Sequence, residues 1–281
     1  MVITRAILSD LFDSRRVADF MSSMALVMGL APILAPTIGG YINNYFCWRA
    51  IFGLLAFSNL FCLAAIMALL PETHFKRLHN LNLSSTLKSY GQLLKDRMFV
   101  GYLIPVTAIR AGMFAYIAGS PFVFIELYGI PKIYYGWIFG LNAMGLVIAS
   151  QINRVLLKRY TIDQVLKYTI AIAALASLIV FIGPMVSSLA SVLLISIFIF
   201  IATLNFVTPN GMAGALSMQG HRAGTASALF GCLQWGLASV SSFMVSHFHN
   251  GTSLPMTGTI LGCGLLSLIA YQVLKPRLQT T

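Results

Sequence analysis

Charge is what this sequence has least of. Only 9% of its 281 residues are charged, and only seven are acidic. Soluble domains carry about 25% charged residues, so this chain cannot build the polar surface that a water-facing domain of its length requires. Cysteine is also scarce. The four thiols, Cys47, Cys62, Cys232 and Cys263, are scattered with no CxxC pair, which excludes a disulfide scaffold and supplies no metal or redox ligand set. Of the five histidines only His247 and His249 are close together, with no carboxylate beside them, so no zinc site is expected. Walker and dinucleotide-binding loops are missing, which argues against ATP-driven transport. No buried cluster of acid, histidine and cysteine points to an enzyme, and no cofactor is expected. A basic n-region, a short apolar core and a cleavage site do not occur together at the start, so the chain shows no signal peptide.

Apolar residues are what is present, at 58% of the chain with a mean hydropathy of +0.84. They fall in eight runs near 19–42, 49–70, 98–120, 134–156, 165–185, 188–209, 222–246 and 254–274. Each is long enough for a helix across a hydrocarbon core, which takes about 20 residues. The runs are continuous and do not alternate with period two, which excludes a β-barrel. An even number of spans puts both termini on one side. Fifteen basic residues fall on that side, Arg49 and Lys132 fall on the other, and Arg110 lies within a span, which accounts for all 18. The excess of Lys and Arg marks the cytoplasmic face. The net charge of +11 is therefore a topology signal rather than a nucleic-acid footprint, and the expected partner is the lipid bilayer. The fold class is an all-α membrane protein with eight transmembrane helices and both termini cytoplasmic.

The connections are unequal. Residues 43–48, 186–187 and 247–253 are short links between antiparallel neighbours. Residues 71–97 form a long cytoplasmic loop, in which Leu83, Leu87, Tyr90 and Leu94 at helical spacing predict a short amphipathic helix on the inner leaflet, with Ser84 or Ser85 as its cap. Residues 1–18 read as the cytoplasmic tail of a helix whose body is missing. Three regions follow: 1–70 with two spans, the loop 71–97, and 98–281 with six spans.

The first span contains Gly29, Pro32, Pro36, Gly39 and Gly40. Two prolines four residues apart remove two ladder donors and kink the helix. Gly29, Pro36 and Gly40 share a face that lets another helix approach closely. Further small-residue spacings, Gly136-x3-Gly140, Gly220-x3-Gly224 and Gly258-x3-Gly262, predict helix–helix contacts of the same kind.

Ala35-Pro36-x2-Gly39-Gly40 after Gly29 resembles the fifth-helix antiporter motif of the major facilitator superfamily. The string from Ala111 to Glu126, AGMFAYIAGSPFVFIE, resembles the seventh-helix signature of its Bcr/CflA branch. Gly140-Leu141-Asn142-Ala143, Ser150-Gln151-Ile152-Asn153-Arg154 and Ala223-Gly224-Thr225-Ala226-Ser227 add to the match. The resemblance covers essentially the whole chain. It implies a multi-pass protein of the bacterial inner membrane that exports drugs or other amphipathic small molecules in exchange for protons, by alternating access between two six-helix bundles. Against that pattern only two helices precede the central loop. The resemblance therefore implies a partial fold equivalent to helices 5–12, with 1–70 a remnant of the N-terminal bundle and 98–281 the complete C-terminal one. The alternatives are a truncated, non-transporting remnant, or a subunit that needs a separately encoded N-terminal fragment.

Candidate pathway residues follow from polarity at depth. Arg110 is the one deep charge, so it either lines an aqueous pathway or pairs with polar groups of other helices. No carboxylate lies near a midplane; Glu126, at the outer end of its span after Ser120-Pro121, is the remaining candidate for the proton pathway. Asn142 and Gln234 lie deep in spans beside small residues. Phe114 and Tyr116 are placed to line an apolar drug pocket, whereas Tyr134, Tyr135 and Trp137 fit an interfacial aromatic belt. Asn59, Gln151, Asn153 and Asn205 are expected to hydrogen-bond helix to helix.

Overall fold

The apolar runs become helices in the computed structural model, which describes residues 35, 38–42, 45–69, 83–186, 189–217, 219 and 223–274. The chain divides into two units, Met1–Leu81 and Asn82–Thr281.

In the first unit, residues 38–42 are helical and α1 runs Trp48–Leu69. Gly39 and Gly40 fall in the former stretch, while Gly29, Pro32 and Pro36 lie outside the described residues. The start of α1 is amphipathic in the interfacial sense: the Arg49 guanidinium sits 4.4 Å over the Trp48 ring, an arrangement favourable at a membrane boundary. Inside α1, the Ser58 and Asn59 side chains both donate back to the Leu55 carbonyl. Among the described residues Asn59 thus bonds within its own helix, where a bond to another helix is expected.

The second unit opens with α2 (Leu83–Lys95), the helix expected in the cytoplasmic loop. Of the expected stripe, Leu87 and Leu94 are exposed and Tyr90 packs against the core, while Leu93, outside that stripe, is fully buried.

Six spans follow: α3 (Arg97–Pro121), continued by a π-helical turn Phe122–Leu127, α4 (Lys132–Leu156), α5 (Ile162–Val186), α6 (Ala190–Ser217), α7 (Ala223–His247) and α8 (Leu254–Leu274). With α1 they make seven helices long and apolar enough to cross a membrane among the described residues. Most of the eighth expected span, 19–42, falls outside them.

Local chemistry fixes the ends. The Asp96 carboxylate caps α3 by accepting from the Met98 and Phe99 amides at 2.9 and 3.3 Å, and its second oxygen accepts from Gln219 at 2.9 Å. Thr161 and Gln164 exchange side-chain and backbone bonds at the start of α5, a capping box that satisfies two orphan donors. The turns before α4 and α8 contain Gly129 and Gly251 at φ of 65° and 76°, a left-handed conformation that glycine adopts without Cβ strain.

Helix α3 is the centre of the bundle, packed against α6, α7 and α8, while α5 packs on α6 and α8, and α4 on α6. Glycine permits the close approaches. A Cβ at Gly112 would lie 2.7 Å from the Phe200 ring, one at Gly214 would lie 2.6 Å from the Tyr102 ring, and one at Gly264 would lie 2.7 Å from the Ser177 Cβ. The expected glycine pairs do not serve this purpose. Gly136, Gly140, Gly224 and Gly262 face open space, and Gly258 has only Phe181 nearby; Gly220 is outside the described residues. Three-residue spacing selects one side of a helix but not the side that meets a neighbour.

Candidate functional site

The site residues sit on α3, α4 and α7. Helix α3 is buried on most of its circumference, and Arg110, Met113, Phe114 and Ile117 form its less buried stripe. These positions recur at three- and four-residue steps, which places them on one face. Two serines of α7 hold the helix against this stripe. Ser241 Oγ donates to the Ala111 carbonyl at 2.7 Å, and Ser242 Oγ donates to the Phe114 carbonyl at 3.4 Å. The alignment brings the Trp235 indole edge-on to the Phe114 ring, with centroids 5.4 Å apart at 70°. Trp235 is 59% exposed, and its neighbour Gln234 is half-buried.

Arg110 is half-buried on this face, and its Nε is buried with no hydrogen-bond partner. No described acid reaches it. Asp96 caps α3 at the cytoplasmic end. Asp163 accepts from the Tyr102 hydroxyl at 2.6 Å. Glu126 is exposed in the π-helical turn, 16 residues along the chain from Arg110, or about 24 Å at helical rise.

A second polar cluster joins α3 to α4. Asn142 Nδ2 donates to the Tyr116 hydroxyl at 2.9 Å, and the Ser120 and Tyr135 hydroxyls lie 2.7 Å apart. The Phe139 ring packs against both Tyr116 and Tyr135, at 5.4 and 5.2 Å. Tyr116 is 1% exposed and Asn142 is buried, so these two candidates face one another inside the bundle and not the open stripe of α3. Tyr135 turns inward from the expected aromatic belt, whereas Tyr134 and Trp137 are largely exposed.

The other polar residues tie α6 to α4. Asn210 donates to Asn153 at 2.8 Å, and Asn205 donates to the Leu146 carbonyl at 2.7 Å. Gln151 is exposed. Thus Arg110 and Phe114 share one face, with Trp235 against Phe114 and Gln234 next to Trp235 in the chain, Tyr116 and Asn142 form a separate buried pair, and Glu126 lies at the outer end. Sequence reasoning did not single out Trp235, Ser120 or Tyr135 as partners. Trp235 carried a usable signal, because a tryptophan in the middle of a span is too deep for an interfacial belt.

A cavity of about 160 Å³ opens at the outer end of α3, α7 and α8, lined by Gly119, Phe122, Val245, His249 and Met256 among others. His249 stands edge-on to Phe122 at 4.3 Å. Among the described residues, no group of three or more metal-ligating side chains converges.

Comparison with known proteins bears on this arrangement as a whole. A family profile described as Major Facilitator Superfamily matches residues 1–243. The bicyclomycin resistance protein homolog of Haemophilus influenzae is 29% identical over 278 residues, covering 99% of this chain and 70% of the relative. An uncharacterized MFS-type transporter of Bacillus subtilis, YdgK, is 31% identical over 275 residues, covering 96% of this chain and 68% of the relative. The multidrug resistance protein MdtL of Escherichia coli is 24% identical over 275 residues, covering 98% and 68%. The bicyclomycin-resistance relative agrees with the Bcr/CflA features of α3. With seven described spans and a profile match over most of its length, the chain belongs to the Major Facilitator Superfamily and is a multi-pass protein of the bacterial inner membrane.

Proposed function

We propose that the protein takes part in proton-coupled efflux of drugs or other amphipathic small molecules by alternating access. The observation that carries this reading is the match to two drug-resistance proteins over 99% and 98% of the chain. The stripe of α3 supports it. Arg110 and Phe114, with Gln234 and Trp235 of α7, combine polar donors with apolar rings at membrane depth, as a site for an amphipath requires. Tyr116 and Asn142 hold α4 on α3 behind that face. Glu126, exposed at the outer end with no hydrogen bond to the described residues, is the described acid best placed to exchange protons with the outside.

A second reading has the chain working only with a separately encoded N-terminal part. It is favoured by the matches covering only 70% and 68% of the relatives' length. One experiment addresses both. Accumulation of a fluorescent drug is followed in cells lacking other exporters, with this chain alone and with the part of the Haemophilus relative that the match leaves uncovered co-expressed. Uncoupler-sensitive efflux in both settings supports the first reading, and efflux only on co-expression selects the second. Unchanged accumulation in both would refute transport.

A further inference from the structure

Resting on the transport reading, we infer that the substrate is an anionic amphipath, a carboxylate-, sulfonate- or phosphate-bearing molecule with an aromatic body, whose charge is held by Arg110 and whose body packs on Phe114 and Trp235. Arg110 lies 12 residues past Met98, about 18 Å into the span at helical rise, which is near the middle of a hydrocarbon core about 30 Å thick. A guanidinium there is costly unless it is paired or hydrated. Yet its Nε is buried without a hydrogen bond, and each described acid is engaged elsewhere or distant, as set out above. Asp10, Asp13, Asp19 and Glu72 lie outside the described residues.

The neighbours specify the ligand further. One turn beyond Arg110 on the same face, the Phe114 ring meets Trp235, which is more than half exposed. Two rings set edge-on at 5.4 Å leave π faces for an aromatic body. Gln234 beside Trp235 adds an amide that makes no hydrogen bond to the described residues. No described carboxylate on this face would neutralise a cationic ligand, and a neutral one would leave Arg110 unpaired. An anion compensates the charge already present, and a planar guanidinium fits carboxylates, sulfonates and phosphates through two parallel hydrogen bonds.

The test uses the full chain in phosphatidylcholine nanodiscs, with Trp48 and Trp137 replaced by Phe so that fluorescence reports Trp235. Three probes share one body: naphthalene-2-sulfonate, 2-naphthylmethanol and 2-naphthylmethylammonium. The sulfonate is expected to quench at roughly 10- to 100-fold lower concentration than the alcohol, the range for a hydrogen bond to a charged group. Arg110→Gln should abolish that preference with a melting temperature no lower than that of the unaltered chain, since it removes an uncompensated charge, and Arg110→Lys should retain part of it. Replacing a third of the lipid with phosphatidylglycerol should leave sulfonate binding unchanged, since the site takes a free solute. Binding of the alcohol with no preference for the sulfonate, or a preference for the ammonium, would overturn the anion inference and leave transport standing. Loss of sulfonate binding to phosphatidylglycerol would assign the site to a lipid headgroup and overturn it as well. Failure of all three probes to bind would remove both the inference and this face as a transport site.

Discussion

Replacing Gly214 by alanine sets two opposing effects against each other. In a helix interior, Gly→Ala ordinarily stabilises by about 0.5–1 kcal/mol, because glycine loses more backbone freedom on folding. At Gly214 the new methyl would stand 2.6, 2.8 and 2.9 Å from three atoms of the Tyr102 ring. That ring cannot swing aside cheaply. It is fully buried, and its hydroxyl is fixed to Asp163 at 2.6 Å. Overpacking a tight core costs about 1–3 kcal/mol, so the clash outweighs the propensity gain and Gly214→Ala should destabilise by about 1–2 kcal/mol net. Gly140→Ala is the control, because nothing lies within 4 Å of the position its Cβ would take; it should be neutral or stabilising. The assay is thermal unfolding in detergent, read by maleimide labelling of Cys263, which is half-buried, with the other three cysteines replaced by serine. Adding Tyr102→Phe frees the ring from Asp163 and should recover part of the Gly214→Ala loss. Equal effects at Gly214 and Gly140 would refute the packing argument.

Two further outcomes follow. Reporter fusions after Thr281 and within 71–97 should read cytoplasmic and one at Asn250 external; an external C-terminus would contradict the charge asymmetry. Asn153→Leu and Asn210→Leu should each cost roughly 1–3 kcal/mol by orphaning a buried amide, and the double variant less than their sum, measured by the same unfolding assay.

Most of the helices were legible, because an apolar run long enough to span a membrane has few alternatives. The last span begins and ends where the sequence places it, and α4, α5 and α7 differ by three residues or fewer at either end. Helix α6 runs eight residues beyond its expected end. Thr208, Pro209, Asn210 and Gly211 lower the local hydropathy there, yet Asn210 is paired with Asn153 and Gly211 packs against Val106. Polar residues satisfied inside a bundle look like a loop when only hydropathy is read. The capping box Thr161-Ile162-Asp163-Gln164 is a start signal that spacing alone carries. The candidate site was less legible. Depth along a span singled out Arg110, but the Tyr116–Asn142 bond joins residues 26 apart, and no periodicity records which faces of two helices meet. For the same reason the glycine pairs were assigned to contacts that Gly112, Gly214 and Gly264 make instead.

The most direct test of the account is drug movement against an imposed proton gradient. The chain is reconstituted in liposomes, alone and together with the part of the Haemophilus relative that the match leaves uncovered, and release of a preloaded fluorescent amphipath is followed after a pH jump. Transport that depends on the gradient, disappears with an uncoupler and falls on Arg110→Gln is the predicted result. Release that is the same with and without the gradient in both preparations would contradict proton-coupled efflux.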